Sequence, residues 1–252
     1  MFKIEDTTCR RFSSTRPVFR STTSKPDSWT LRPRFGSRRS RFSLFFLAAL
    51  AALTGTAPAH AGNGDREKPR TVLFFGDSLT AAYRIDPDAA YPALIEEKMR
   101  AEGFAYRSVN AGVSGETTAG GLRRIDWVLR REIDVFVLAL GGNDILRGFA
   151  PEEAESNLRG ILKKVRERYP DAELLLAGMQ TPRNMGADYA EAFAAIYPAL
   201  AEEFDIPLIP FLLEGMAADP AYNLDDLIHP NERGHQVIAK NVWRHLRPQL
   251  TE

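Results

Sequence analysis

Four short segments of this chain hold residue types that could act together on a carbonyl group. They are Gly76-Asp77-Ser78-Leu79, Asn110-Ala111-Gly112-Val113-Ser114-Gly115-Glu116, Gly141-Gly142-Asn143-Asp144 and Asp226-Leu227-Ile228-His229. Taken singly, each has an ordinary structural reading. Gly-Asp-Ser is a common strand-to-helix turn, Gly-Gly-Asn-Asp is turn chemistry, and an Asp three residues before a His can be a surface ion pair. Taken together they supply a hydroxyl nucleophile, an imidazole to take its proton, a carboxylate to orient the imidazole, and donors for an oxyanion. Those are the parts that acyl transfer needs.

The elements that must position them can be read from the pattern of apolar residues. Thr71-Val72-Leu73-Phe74-Phe75 is a buried-strand run ending at Gly76, Tyr106 to Asn110 a second strand, and Asp134 to Leu140 a third, stopped by Gly141-Gly142. Glu173 to Ala177 and Pro207 to Pro210 read as a fourth and a short fifth. Between and after them lie amphipathic stretches: Tyr91 to Glu102, with Pro92 suited to a first helical turn, then Gly120 to Arg131, Pro151 to Tyr169, Asp188 to Phe204, and about Asn231 to Leu246. Strands apolar throughout and separated by helices predict a five-stranded parallel sheet covered on both faces, an α/β/α sandwich. In such sheets the site lies beyond the carboxyl ends of the strands. The first three reactive segments follow strands, and the fourth precedes the last helix.

The amino-terminal part reads differently. Met1 to Ser43 carries eleven of the 33 basic residues and three of the 33 acidic ones, and is followed by the apolar run Leu44 to Leu53 and by Ala57-Pro58-Ala59-His60-Ala61. A basic region, a short apolar region and a small-x-small end predict a secretory signal peptide, and the run is short for a membrane span. Residues 1–61 are therefore expected to be removed, with cleavage after Ala61 or Ala59, leaving one domain over 62–252 in the periplasm or outside the cell. The remainder has 22 basic and 30 acidic residues. That negative balance argues against nucleic-acid binding. Cys9 is the only cysteine, so the mature part has no thiol chemistry. The sequence has no His-Glu-x-x-His, no Cys cluster and no Walker loop, so neither metal nor nucleotide is indicated.

These residues resemble the SGNH, or GDSL, hydrolases, whose markers are a Ser, a Gly, an Asn and a His in that order. The likeness runs from Val72 to about Leu250. It is strongest to the branch of bacterial periplasmic acyl-thioesterases that also act as lysophospholipases and arylesterases, through Leu140-Gly141-Gly142-Asn143-Asp144, Leu146-Arg147-Gly148-Phe149, the segment from Glu191 to Pro198, and Ile228-His229-Pro230-Asn231. The resemblance implies a flavodoxin-like sheet and gives each residue a role. Ser78 would be the nucleophile and His229 its base. Asp226, three residues before His229, would orient it in preference to Asp225. The oxyanion would be bound by the N–H groups of Ser78 and Gly115 and by the Asn143 amide, donors typically worth about 3–4 kcal/mol each. Gly115, before an acidic-Thr pair, is favoured over Gly112, which becomes a turn residue. Asp77 and Asp144 are assigned to bracing their loops, and His235 and His245 to surface or packing roles. Ser114 lies in no Gly-x-Ser-x-Gly elbow.

For substrates, the resemblance implies small acyl esters and thioesters, lysophospholipids among them, cleaved without a cofactor; a monomer is expected. Ile145, Leu146 and Phe149, and the loop from Met179 to Met185 around Pro182, are the candidate walls of an acyl groove. A carbohydrate acetylesterase on the same scaffold would want a shallow polar site with sugar-stacking aromatics. A non-catalytic binding protein would not need all four markers.

Overall fold

The computed structural model describes residues 68–251. The basic leader, the apolar run, Cys9, His60 and both expected cleavage points lie outside the described residues.

Strands β1 (Arg70–Gly76), β2 (Tyr106–Gly112), β3 (Val135–Ala139), β4 (Glu173–Ala177) and β5 (Leu208–Ile209) form one sheet. Their order is β2-β1-β3-β4-β5, and each neighbouring pair is parallel. Every residue of β3, and β1 from Thr71 onward, is buried. This is why those runs are apolar without alternation: a strand with helices on both faces has no solvent side. The order reverses direction around β1, and the ends of β1, β2 and β3 therefore open onto one switch-point crevice.

Helices α1 (Tyr91–Ala101) and α6 (Glu232–Leu246) pack together, as do α2 (Thr118–Val128) with α4 (Pro151–Arg168) and α4 with α5 (Ala187–Phe204). Two helical layers thus cover the sheet. Phe74, Phe75, Tyr91, Ile95, Phe136, Leu158, Ile161, Phe193 and Val242 are fully buried between them, and each large apolar side chain so buried contributes about 1.5–3 kcal/mol.

Several boundaries differ from the sequence reading by one to three residues, and two of the differences lie beside the reactive segments. Helix α2 starts at Thr118, two residues before the expected Gly120, because Thr117 caps it: its Oγ1 accepts from Gly120 N at 3.2 Å. The segment expected to be a plain turn, Gly141 to Asp144, instead opens the short helix α3 (Gly142–Leu146).

Gly112 is not a free turn residue. It pairs with Gly76 on the last rung of the β1–β2 ladder. A Cβ on Gly112 would lie 2.4 Å from Ala81 N and 2.8 Å from the Thr80 carbonyl carbon. Those contacts are to backbone of the segment that follows Ser78, and backbone cannot swing aside as a side-chain end can. Gly112→Ala should therefore lower the unfolding free energy by about 1–3 kcal/mol, the usual cost of overpacking. Urea denaturation measures it, and an unchanged midpoint would show that the segment yields freely.

Candidate active site

Ser78 follows β1 by two residues and is buried apart from a small window. Its Oγ lies 3.0 Å from His229 Nε2, across 151 positions of sequence. The other ring nitrogen of His229, Nδ1, lies 2.7 Å from Asp226 Oδ2. A carboxylate at this position only accepts, so the proton belongs on Nδ1 and Nε2 is left to receive one from Ser78.

The loop that carries Asp226 and His229 is shaped by its own backbone. Asp226 Oδ1 accepts from Ile228 N and from His229 N, each at 2.9 Å. Leu227, between them, is held in the left-handed region at φ 56°, a conformation that costs a non-glycine residue energy and is kept where the surroundings impose it. Leu224 N donates to His229 O at 2.8 Å, and Asn231 N to Tyr222 O at 2.9 Å. Asn231 also caps α6 through Gly234 N. Amide donation, first from His229 N, then the His229 ring and Ile228 N, holds the Asp226 carboxyl down at about 2.

Asn143 is the second residue of α3. Its Nδ2 donates to Asp77 Oδ2 at 3.1 Å, while Asp77 Oδ1 accepts from Leu79 N at 3.0 Å. Asp77 therefore joins the Ser78 segment to the Asn143 turn. Asp144 points away from the reaction side: it is buried, accepts from Thr118 N at 2.9 Å and Thr118 Oγ1 at 2.6 Å, and anchors the start of α2. Gly115 stands at φ +77° in an exposed turn, and its carbonyl accepts from Arg147 Nη2 at 3.0 Å. His235 is a packed residue: it is buried, Nδ1 accepts from Tyr91 N at 3.1 Å, and burial lowers its ring to about 4.

Beside Ser78 and His229 is a cleft of about 480 Å³, within the range of small-molecule sites. Ile145, Leu146, Met179 and Pro182 line it, as the sequence suggested. Phe149 and Met185 do not; the Phe149 carbonyl accepts from Tyr189 Oη at 2.8 Å, beyond the cleft. Phe211, Leu213, Ala217 and Ala218 also line it and were not singled out from sequence. Their one legible signal was position, just past the fifth strand. Tyr83 was also missed. Its ring centroid is 4.3 Å from that of His229, and its neighbours Ala82 and Arg84 both have left-handed backbones, φ 59° and 60°.

The model of the GDSL-like lipase/acylhydrolase family matches residues 74–237. The chain belongs to that family. Among its relatives is the thioesterase 1/protease 1/lysophospholipase L1 of Escherichia coli, 44% identical over 179 residues that cover 71% of this chain and 84% of that protein. Esterase TesA of Pseudomonas aeruginosa is 40% identical over 182 residues, 72% of this chain and 90% of that protein. Of solved structures, the SGNH-hydrolase family esterase AlinE4 is 42% identical, with a TM-score of 0.60 over 73% of this chain and 97% of that one. Family membership accounts for the α/β sandwich. Among the described residues no helix is long and apolar enough to cross a membrane.

Burial raises the Asp77 carboxyl to about 6, against the pull of Leu79 N and Asn143. The folded protein thus binds this proton more tightly than the unfolded chain, where the value is about 4. The stability it contributes is full below about pH 4 and is lost as pH rises through about 6. Compared with Asp77→Asn, the wild type should lose unfolding free energy as pH goes from 4 to 7. A constant difference between the two, followed by urea denaturation at each pH, would show that Asp77 titrates as a free carboxyl.

Proposed function

We propose that the chain is a serine hydrolase that cleaves carboxylic esters and acyl thioesters by way of an acyl-enzyme. Ser78, His229 and Asp226 would be the triad, and Gly115 and Asn143 donors to the oxyanion. One observation carries this reading: the unbroken line from Ser78 Oγ through both His229 nitrogens to Asp226, at 3.0 and 2.7 Å, beside an apolar cleft.

That line supports the following chemistry. Ser78 Oγ attacks the acyl carbonyl as its proton passes to His229 Nε2, and ionised Asp226 steadies the imidazolium. The carbonyl oxygen becomes an oxyanion and is held by the N–H groups of Ser78 and Gly115 and by Asn143 Nδ2. His229 then gives its proton to the departing alcohol or thiolate. Water, deprotonated by the same imidazole, attacks the acyl-enzyme; the bond to Ser78 Oγ breaks, Oγ takes the proton back from His229, and the acid leaves. One histidine carries every proton, and no cofactor enters.

The wall formed by Ile145, Leu146, Met179, Pro182, Phe211 and Leu213 suits an alkyl or aryl acyl group. That favours esters, acyl thioesters and lysophospholipids over acetylated sugars. Relatives named thioesterase, lysophospholipase, esterase and arylesterase support the same class. We further propose that residues 1–61 are an export signal, that 62–252 is the hydrolase domain, and that the enzyme works as a monomer in the periplasm. The amino terminus of the exported protein, read by mass spectrometry, should be Gly62; a terminus at Met1 would overturn the leader.

Ser78→Ala should abolish hydrolysis of p-nitrophenyl acyl esters with unfolding unchanged. His229→Ala should fall by a similar factor, since triad members act as a unit and their losses do not add. Turnover by Ser78→Ala near the wild-type rate would exclude the mechanism.

A further inference from the structure

The turn that presents Gly115 is exposed, yet the residue after it is not. Val113, Ser114 and Gly115 face solvent, whereas Glu116 is buried. The Glu116 carboxylate is gripped by Arg124, further on in α2: Arg124 Nε donates to Oε1 at 2.7 Å and to Oε2 at 2.8 Å, and Nη2 also reaches Oε2. The same guanidinium has other partners. Nη2 donates to Ala111 O at 2.7 Å and approaches Gly76 O at 3.5 Å, and the group sits 4.0 Å above the ring centroid of Phe75. One cation thus joins the ends of β1 and β2 to the residue after Gly115.

Taking two charges out of water is costly, and an apolar pair of similar volume would generally serve stability as well or better. What an apolar pair lacks is direction. Forked bonds to a carboxylate and a bond to a strand-end carbonyl fix where Glu116 must stand relative to the sheet. The turn itself is closed by Glu116 N donating to Val113 O at 3.1 Å, and Val113 N donates to Gly76 O at 3.0 Å. Gly115, third in the turn, has the positive φ that a type II turn requires there. The turn bond uses the Glu116 N–H and leaves that of Gly115 available. Gly76, in turn, stands two residues before Ser78. Moving Glu116 would therefore move the Gly115 N–H relative to the nucleophile.

We propose that the Glu116–Arg124 ion pair is a positioning device that sets the Gly115 N–H against Ser78 for oxyanion binding. The inference rests on the proposed hydrolytic mechanism and deepens it. Neither side chain is a catalytic residue. Both act through the peptide between Ser114 and Gly115, and their effect is confined to steps in which negative charge develops on the carbonyl oxygen.

The test compares Glu116→Gln and Arg124→Met with wild type in the mature enzyme. Active sites are counted with a fluorophosphonate, kcat and KM are measured on p-nitrophenyl butyrate, and affinity is measured for a trifluoromethyl ketone, which binds serine as an alkoxide. Arg124→Met should lower kcat per titrated site about 10- to 100-fold, the cost of a donor displaced rather than removed. KM should stay within about twofold, and ketone affinity should fall in parallel with kcat. Glu116→Gln, which keeps the shape and one acceptor oxygen, should lose less and remain folded even if Arg124→Met does not. A purely structural role would lower the melting temperature of both variants while kcat per site and ketone affinity stay within about twofold of wild type; that result overturns the proposal. Failure of the parent reading looks different: the fluorophosphonate would not label Ser78 in the wild type, and the positioning role would fall with it.

Discussion

Asp77 has almost no water around it, and the two oxygens of its carboxyl are committed to two other groups. One accepts the Leu79 amide and the other the Asn143 side chain. A buried carboxylate left without such donors costs several kcal/mol, so the segment after β1 and the turn after β3 are not free to separate. Ser78 lies between Asp77 and Leu79, at the point where this constraint is tightest. The carboxylate also settles which way the Asn143 amide faces. Only its nitrogen can donate, so Nδ2 must turn toward Asp77, and that nitrogen carries a second N–H for the oxyanion. A group assigned from sequence to bracing a loop thereby sets the aim of a proposed donor.

The sheet converts that local constraint into a site. The order β2-β1-β3 brings the ends of three strands together, so residues near 78, 115 and 143 converge, and the side chains of Asp77, Asn143 and Arg147 then tie their segments to one another. His229 arrives by another route, from the last loop of the chain. It is held by one backbone bond, from Leu224 N to its carbonyl, and by the Asn231 cap on α6, and α6 packs on α1. Burial of Ile238, Val242 and Leu246 in the core therefore bears on the proposed site. It fixes the helix that the histidine loop leads into.

The sheet was legible in the sequence because burial on both faces leaves an unmistakable apolar run, as in Val72 to Phe75 and Val135 to Leu140. Ser78, Asn143 and His229 were legible as candidates only in combination: hydroxyl and amide in turns after strands, and an imidazole before the last helix, stand in the order of the SGNH markers. The rest depended on packing that no residue type announces. Gly112 resembles any turn glycine until the backbone at Thr80 and Ala81 is found against it. Asp144 resembles a loop residue until its carboxylate is found on Thr118. Arg124 reads as one of many surface arginines on an amphipathic helix, and Tyr83 as one aromatic in a loop. Phe149, apolar and near Asn143, reads as a cleft residue, yet the backbone after α3 carries it past the opening.

Leu227, Ala82 and Arg84 all hold left-handed backbones without being glycine, and all lie within the two segments that meet at His229. Leu227 is the residue after Asp226, on the way to the histidine it orients; Ala82 and Arg84 flank the tyrosine packed on the imidazole ring. Conformations of this kind cost of order 1–3 kcal/mol each, and elsewhere in the described residues glycine occupies most such positions. The strain is tolerated because neither segment is free-standing: one is tied to β1 through Asp77, the other to α6 through Asn231. In the proposed reaction the imidazole takes a proton from Ser78 and passes it to a leaving group, so it has to keep its plane and its tautomer through both transfers. Asp226 fixes the tautomer, and the Tyr83 ring limits rotation of the plane. The left-handed residues stand next to both groups that meet this one histidine.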